Sequence, residues 1–265
     1  MQCIVDNIYQ SGEQSPANIT KGYQGLRDTT AVPLQVPFFQ NAMCPVNVHW
    51  HLGAEHYSLD EYDETGSGPP NNAAPSFSRL GYQCKFYNET DSRFRTAYDW
   101  QHCLNMEVGQ TYEVHFVWSA AGACGTVNQY QTPFLDGMFC LDGIITDTAS
   151  QLGMQVQVFT VVNDEAYYYP NLLQGMLVDE ELGLGTEVTK YTGSTTGTSR
   201  NNEICSQYTP ITMQVDRKCH LISASSFDKL CADMKAQSDD MWEDLFPHGS
   251  RELVDDELAA NNQVQ

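Results

Sequence analysis

Three of the seven histidines fall within eight residues, in the segment VNVHWHLGAEH at positions 46–56. In a β-strand, successive side chains point to opposite faces, so His49 and His51 share one face and Trp50 points to the other. Two imidazoles on one strand face, about 7 Å apart along the strand, can converge on a single metal ion. The spacing therefore predicts part of a metal site.

A catalytic zinc site takes three protein ligands and leaves one position open. His115 is the other histidine that lies in a clear strand pattern, TYEVHFVW at 111–118, which makes it the predicted third ligand. By the same alternation Asn47 lies beside His49, and Glu113 beside His115. Each can accept or relay the hydrogen bond that fixes the tautomer of a ligand imidazole.

This pattern leaves alternatives open. His49 and His51 could form an exposed polar strand face with Trp50 in the core, and a fourth protein ligand would make the site structural rather than catalytic. A site made only of imidazoles with an open position binds zinc and also accepts cobalt.

The elements that must position these side chains are mainly strands. Residues 46–52, 111–118, 154–162 and 211–215 are rich in β-branched and aromatic residues or alternate in polarity, which predicts strands. Gly, Pro, Asn, Ser and Thr predict loops at 66–75 and 191–199, and weak helical patterns occur at 225–234 and 239–246. We predict a mainly β fold with a large, twisted, mostly antiparallel central sheet and a few short peripheral helices. Residues 1–235 are the predicted catalytic domain, and 236–265 an acidic helix or tail.

Composition excludes some functions. Thirteen basic residues against 34 acidic ones give a formal charge of −21, which argues against nucleic acid as a partner, since phosphate binding needs clustered Lys and Arg. No apolar run approaches the roughly 18 residues needed for a transmembrane helix. The segment MQCIVDNIYQ at the start lacks the features of a secretory signal.

Nine cysteines occur singly, with no CxxC pair, which favours structural disulfides over a zinc-finger or thioredoxin-like motif. Two N-glycosylation sequons, at 18–20 and 88–90, agree with this. The protein is thus expected in an oxidising compartment: secreted, periplasmic or in an organelle lumen.

Four short segments together resemble carbonic anhydrases. The segment at 46–56 is similar to the delta class known from marine microalgae. All four contain alpha-class-like motifs in chain order: QSPANI at 14–19, HWHLG with AEH at 49–56, EVHFV at 113–117 and YTGSTT at 191–196. The resemblance also implies a sheet similar to that of the alpha class.

The resemblance implies zinc-dependent, reversible hydration of CO2 to bicarbonate and a proton, with zinc-bound hydroxide as nucleophile. His49, His51 and His115 would hold the zinc. Thr196 would accept a hydrogen bond from the hydroxide and donate its own proton to Glu55.

Further implications concern the pocket and one disulfide. The substrate pocket would be lined by Val117, Val156 and Met213, with Thr195 in place of a leucine. An alpha-class disulfide suggests a Cys3–Cys205 bond, for which two unrelated buried thiols are the alternative.

The position of a proton shuttle is not implied, because the alpha-class segment that carries it has no counterpart here. His56 and His102 are the candidates. Oligomeric state is also left open, and CO2 and bicarbonate are the expected small-molecule partners. Two competing functions are a non-catalytic carbonic anhydrase-like protein that binds a metal or a partner, and an unrelated metal hydrolase or cupin-type barrel.

Overall fold

The computed structural model describes residues 31–63, 67–70, 80–122, 124, 144–194, 210–237 and 247–249. Strands dominate these residues, in agreement with the sequence. The strands are β1 (Cys44–Leu52), β2 (Tyr62–Asp63), β3 (Gln83–Cys84), β4 (Thr111–Ser119), β5 (Leu152–Val162), β6 (Val188–Ser194), β7 (Pro210–Ser223) and β8 (His248–Gly249). The helices are α1 (Thr148–Gln151) and α2 (Ala224–Gln237), with short 3-10 turns at Phe38–Asn41, Ser92–Phe94, Glu165–Tyr167 and Leu172–Gln174.

The central sheet has the strand order β6-β7-β5-β4-β1-β8, and β2 and β3 form a small separate pair. β1 pairs antiparallel with β4, as do β4 with β5 and β6 with β7, whereas the β5–β7 and β1–β8 pairings are parallel. The prediction of a mainly β fold with few short helices is confirmed, with a sheet that is mixed. Likeness to the alpha-class sheet stays a prediction.

Strand β5 forms the middle of the sheet, and all of its residues are buried. A run of β-branched and aromatic residues buried on both faces is typical of an interior strand with a parallel neighbour. That neighbour, β7, extends well past the predicted end at residue 215. The extension was not predicted because Asp216 and Lys218 are polar. In the structure Asp216 is buried, and it accepts a hydrogen bond from Gln157 of the neighbouring strand β5.

The predicted loop at 191–199 is wrong in its first part. Residues up to Ser194 belong to β6, where Tyr191 is fully buried opposite Met213 of β7. Backbone pairing with β7 and burial of the tyrosine ring outweigh the turn-forming composition. Residues 195–199 lie outside the described residues.

The two faces of the sheet bury different sets of side chains. On one face, Trp50, Tyr112 and Phe159 pack around Phe227 of helix α2, with ring centroids 5.8, 5.8 and 6.4 Å away. On the other face, Val117, Val156 and Met213 belong to a second apolar cluster. Helix α2 therefore covers the face opposite the histidines and anchors the strands that carry them.

Three disulfides connect distant parts of the described chain: Cys44–Cys124, Cys84–Cys219 and Cys103–Cys231. The last two fasten the segment between β1 and β4 to β7 and α2. The prediction of disulfides is confirmed for these six cysteines, whereas Cys3 and Cys205 lie outside the described residues. Among the helices of the described part, none is long and apolar enough to cross a membrane.

Candidate metal centre

The register of β1 against β4 brings the three predicted ligands together. His49 lies directly opposite His115, and His51 lies opposite Glu113. The ring centroids of His115 are 5.0 Å from His49 and 4.7 Å from His51. One ligand nitrogen from each of the three rings lies within 4.8 Å of the others. His51 and His115 are buried, and His49 is half-buried.

This donor set fits a divalent first-row metal ion. Three neutral imidazoles are the ligand set of an open catalytic zinc site, and the same set accepts cobalt. A second group, Glu55, Glu113 and His115, also lies within 4.8 Å. In that group, however, the Glu113 carboxylate accepts hydrogen bonds from protein groups at both oxygens. The three histidines are therefore the better ligand set.

Glu113 connects the imidazole of His115, a candidate metal ligand, to a buried hydrogen-bonded chain. Its Oε2 accepts a hydrogen bond from His115 Nε2 (2.9 Å), and its Oε1 accepts one from His56 Nδ1 (2.6 Å). His56 Nε2 in turn accepts from the Tyr62 hydroxyl at 3.0 Å. All four side chains are almost completely buried. A ligand histidine held by a carboxylate is the arrangement that fixes ring orientation and tautomer at metal sites.

The charge of this chain follows from its surroundings. Burial raises the pKa of the Glu113 carboxyl, but the adjacent His115 and His56 outweigh burial and hold that pKa well below its ordinary value. Burial and the nearby Glu113 raise the pKa of Tyr62 well above the ordinary value. Glu113 is therefore an anion and Tyr62 a neutral hydrogen-bond donor.

The turn after β1 brings Glu55 and His56 back over the histidines. Gly53 has a φ of +74°, and a side-chain carbon there would lie 2.6 Å from the backbone carbon of Gly81. Such a conformation and approach favour glycine. After the turn, the Glu55 backbone N–H donates to Glu113 Oε2 at 3.1 Å, and Glu55 Oε1 lies 3.5 Å from His51 Nδ1.

The hydrogen-bonded chain from Glu113 through His56 to Tyr62 was not predicted from the sequence. If the strand had continued, alternation would have put His56 on the opposite face from His51. The strand ends at Leu52, however, and after the turn at Gly53 the alternation of side chains no longer applies. His56 is fully buried and both of its nitrogens hydrogen-bond within the protein, so it does not fit the role of a proton shuttle that exchanges with solvent. No sequence pattern marked Tyr62, which lies six residues after His56 and reaches its imidazole through the loop that follows β1.

The predicted pocket residues lie in one buried apolar cluster beside the histidines. Val156 of β5 is opposite His115, and Val117 follows His115 by two residues on β4. Met154 of β5 is opposite Val117 on one side and opposite Met213 of β7 on the other, and all four apolar residues belong to the same cluster. Asn47 is buried opposite Val117 on β1, where its hydrogen bond to His49 stays a prediction. Thr195 and Thr196 lie outside the described residues.

Two other histidines are placed away from this arrangement. His220 donates to Asp216 in a buried pair near β5, and the His102 backbone N–H donates to Asp228 of helix α2. Within the ranges that the structure describes, neither belongs to a group of three possible metal ligands. Proximity to a carboxylate therefore does not by itself create a candidate metal site here.

Comparison with known proteins agrees with the geometry. A family model for delta carbonic anhydrases matches residues 40–226, a region that includes strands β1 to β7 and all of the side chains at the histidine cluster. No curated protein sequence matches the chain. Since the match spans more than half of the sequence, the chain belongs to the delta carbonic anhydrase family.

Proposed function

We propose that this carbonic anhydrase uses zinc, held by His49, His51 and His115, to interconvert CO2 and bicarbonate. The observation that carries the proposal is the convergence of three imidazole nitrogens within 4.8 Å on one face of paired strands. When bound, a zinc ion with an open position supplies a hydroxide nucleophile near neutral pH, because it lowers the pKa of water to about 7.

Glu113 acts as a positioning residue for His115. Its carboxylate accepts from Nε2 of that ring, so we assign Nδ1 of His115 as the metal-binding nitrogen. His56 donates to the second carboxylate oxygen and restricts rotation of Glu113, and the Tyr62 hydroxyl fixes the His56 ring from its other nitrogen. Outer contacts of this kind typically change metal affinity or activity by about 10–100-fold.

Glu55 and Thr196 are the proposed pair that orients the nucleophile. Thr196 lies outside the described residues; in this proposal its hydroxyl would donate a proton to the Glu55 carboxylate. The hydroxyl oxygen would then be left to accept a hydrogen bond from the nucleophile, which would orient a lone pair of the nucleophile toward the carbon of CO2. Support comes from Glu55, whose buried carboxylate lies beside His51 and whose backbone is fixed to Glu113.

The substrate side of the site is proposed to be apolar. Val117, Val156 and Met213 form a buried surface next to the histidines, and Thr195 would complete its edge. CO2 is neutral and has no hydrogen to donate, so an apolar wall binds it weakly and leaves it mobile beside the nucleophile. Bicarbonate, which is charged, is disfavoured on the same surface and is released.

The test is stopped-flow CO2 hydration by the full chain at known zinc content. Activity should disappear after chelation and return with zinc or cobalt, and the cobalt form should show the visible absorption of a four-coordinate ion. The absorption reports the ligand set independently of turnover. A folded, zinc-loaded protein without CO2 hydration would contradict the proposed function and favour the non-catalytic alternative.

Glu55→Gln tests the orienting pair. The amide retains shape but donates hydrogen where the carboxylate accepted it, so we expect unchanged zinc content and a fall in kcat of at least about tenfold. Glu61→Gln is the matched control, because Glu61 contacts Lys218 rather than the histidines. Full activity in Glu55→Gln would refute the role of Glu55.

We also propose an oxidising compartment, secreted or lumenal, for this enzyme. The three disulfides of the described residues support it, because such bonds persist outside the reduced cytosol.

A further inference from the structure

A surface turn between β3 and β4 carries one of the two sequons. Asn88, Glu89 and Thr90 are all exposed, and the backbone N–H of Asp91 donates to the Asn88 carbonyl at 3.1 Å, which closes the turn. Turns of this kind, on the surface, are where N-linked glycans can be accommodated after folding.

The side chains of the sequon are already arranged around the acceptor amide. Asn88 Oδ1 accepts hydrogen bonds from the Thr90 hydroxyl (2.8 Å) and from the Thr90 backbone N–H (3.0 Å). Among the described residues, no hydrogen bond involves the amide nitrogen Nδ2 of Asn88. Modification at that nitrogen would therefore break no contact of the folded protein.

The turn is fixed to the fold on both sides. Cys84, four positions before Asn88, is in a disulfide with Cys219, and the buried Phe94 ends the 3-10 turn that follows. Glu89 and Thr90 also line an open cavity of about 750 Å³, with aromatic walls that include Tyr98 and Trp100. Asn88 itself is exposed, so a substituent on its side chain would displace no core residue.

We propose that Asn88 is an N-glycosylation site. The oligosaccharide comes from a lipid-diphosphate-linked donor: Asn88 Nδ2 forms a bond to the anomeric carbon of the first sugar, the bond from that carbon to the diphosphate oxygen breaks, and the amide loses one proton. No oxidation or reduction is involved. This inference rests on the proposed oxidising compartment, which the three disulfides support and in which such donors are used.

The experiment expresses the full chain behind a cleavable secretion signal in a eukaryotic host. All variants carry Asn18→Gln, so that the sequon at 88–90 is the one that remains. Secreted and cell-associated protein are digested with an amidase specific for N-glycans in ¹⁸O-water, and the peptide that contains position 88 is analysed by mass spectrometry.

We expect a digestion-sensitive mobility shift and an ¹⁸O-labelled aspartate at position 88. Asn88→Gln and Thr90→Ala should lose both signals completely, whereas Thr90→Ser should keep them because its hydroxyl is retained. CO2 hydration by each variant shows that it has folded. An active Asn18→Gln protein whose Asn88 is unmodified in both fractions would overturn the proposal.

Discussion

Two buried carboxylates in this molecule each accept a hydrogen bond from a histidine, yet their surroundings differ. Glu113 lies on the face where three imidazoles converge, and its neighbours are His115 and His56. Asp216 accepts from His220, from Gln157 and from the backbone of Gly185. Among the described residues, one His–carboxylate pair therefore lies beside the candidate metal site. The other lies within β7, where the same carboxylate also accepts a hydrogen bond from Gln157 of the neighbouring strand β5.

The largest expected difference between the two regions is in metal binding. His115→Ala should weaken zinc binding by at least about 100-fold and abolish CO2 hydration, since even the loss of an outer contact costs about 10–100-fold. His220→Ala is the matched control and should keep stoichiometric zinc. Zinc analysis after dialysis and stopped-flow assays measure both effects. Loss of zinc in His220→Ala would mean that the two regions are not separate.

Glu113→Gln tests whether the Glu113 carboxylate, unlike that of Asp216, contributes to zinc binding. The amide is a weaker acceptor and cannot hold both imidazoles as the anion does, so zinc affinity should fall by about 10–100-fold. Competition with a chromophoric chelator gives the affinity. Asp216→Asn should leave zinc affinity unchanged, and an equal loss in both variants would contradict the assignment of Glu113 to the metal site.

Asp216→Asn should instead lower the free energy of unfolding by about 1–3 kcal/mol at pH 7, because buried donors lose a charged acceptor. Burial raises the pKa of Asp216, but hydrogen bonds from His220 and Gln157 outweigh burial and lower it. Because the pKa of Asp216 is lower in the folded protein than in the unfolded chain, ionised Asp216 contributes to the free energy of unfolding at pH values above the unfolded pKa of about 3.9. This contribution is lost as the pH falls through the pKa of the folded protein. The difference between wild type and variant in urea unfolding should therefore shrink below about pH 4.

Tyr62→Phe should have the smallest effect. It removes one neutral hydrogen bond to His56 and leaves the Glu113 contacts in place, so we expect a loss of about 1 kcal/mol in unfolding free energy. Zinc affinity should fall by less than tenfold. Chelator competition and urea unfolding test this, and a fall as large as that of Glu113→Gln would show that the tyrosine controls the carboxylate more strongly than its contacts indicate.

Local periodicity explains what could be predicted. The alternation of side chains along β1 was sufficient to put His49 and His51 on one face, because strand parity depends only on neighbours in sequence. His115 could be predicted as the third ligand because it lies in a strand pattern, but the register of β1 against β4 is what brings it opposite His49. The same rule failed for His56, because parity holds only while the strand continues. β1 ends at Leu52, and the positive φ of Gly53 begins a turn in which strand parity no longer applies.

Residue type and local spacing were enough to predict β1, β4, β5 and the first part of β7, the shared face of His49 and His51, and the presence of disulfides. Only the tertiary structure decided that Tyr62 supports Glu113 through His56, that β7 continues past Asp216, and which cysteines pair. Those features join residues far apart in the chain. They depend on strand register and on turns whose geometry is selected by packing, which no local pattern records.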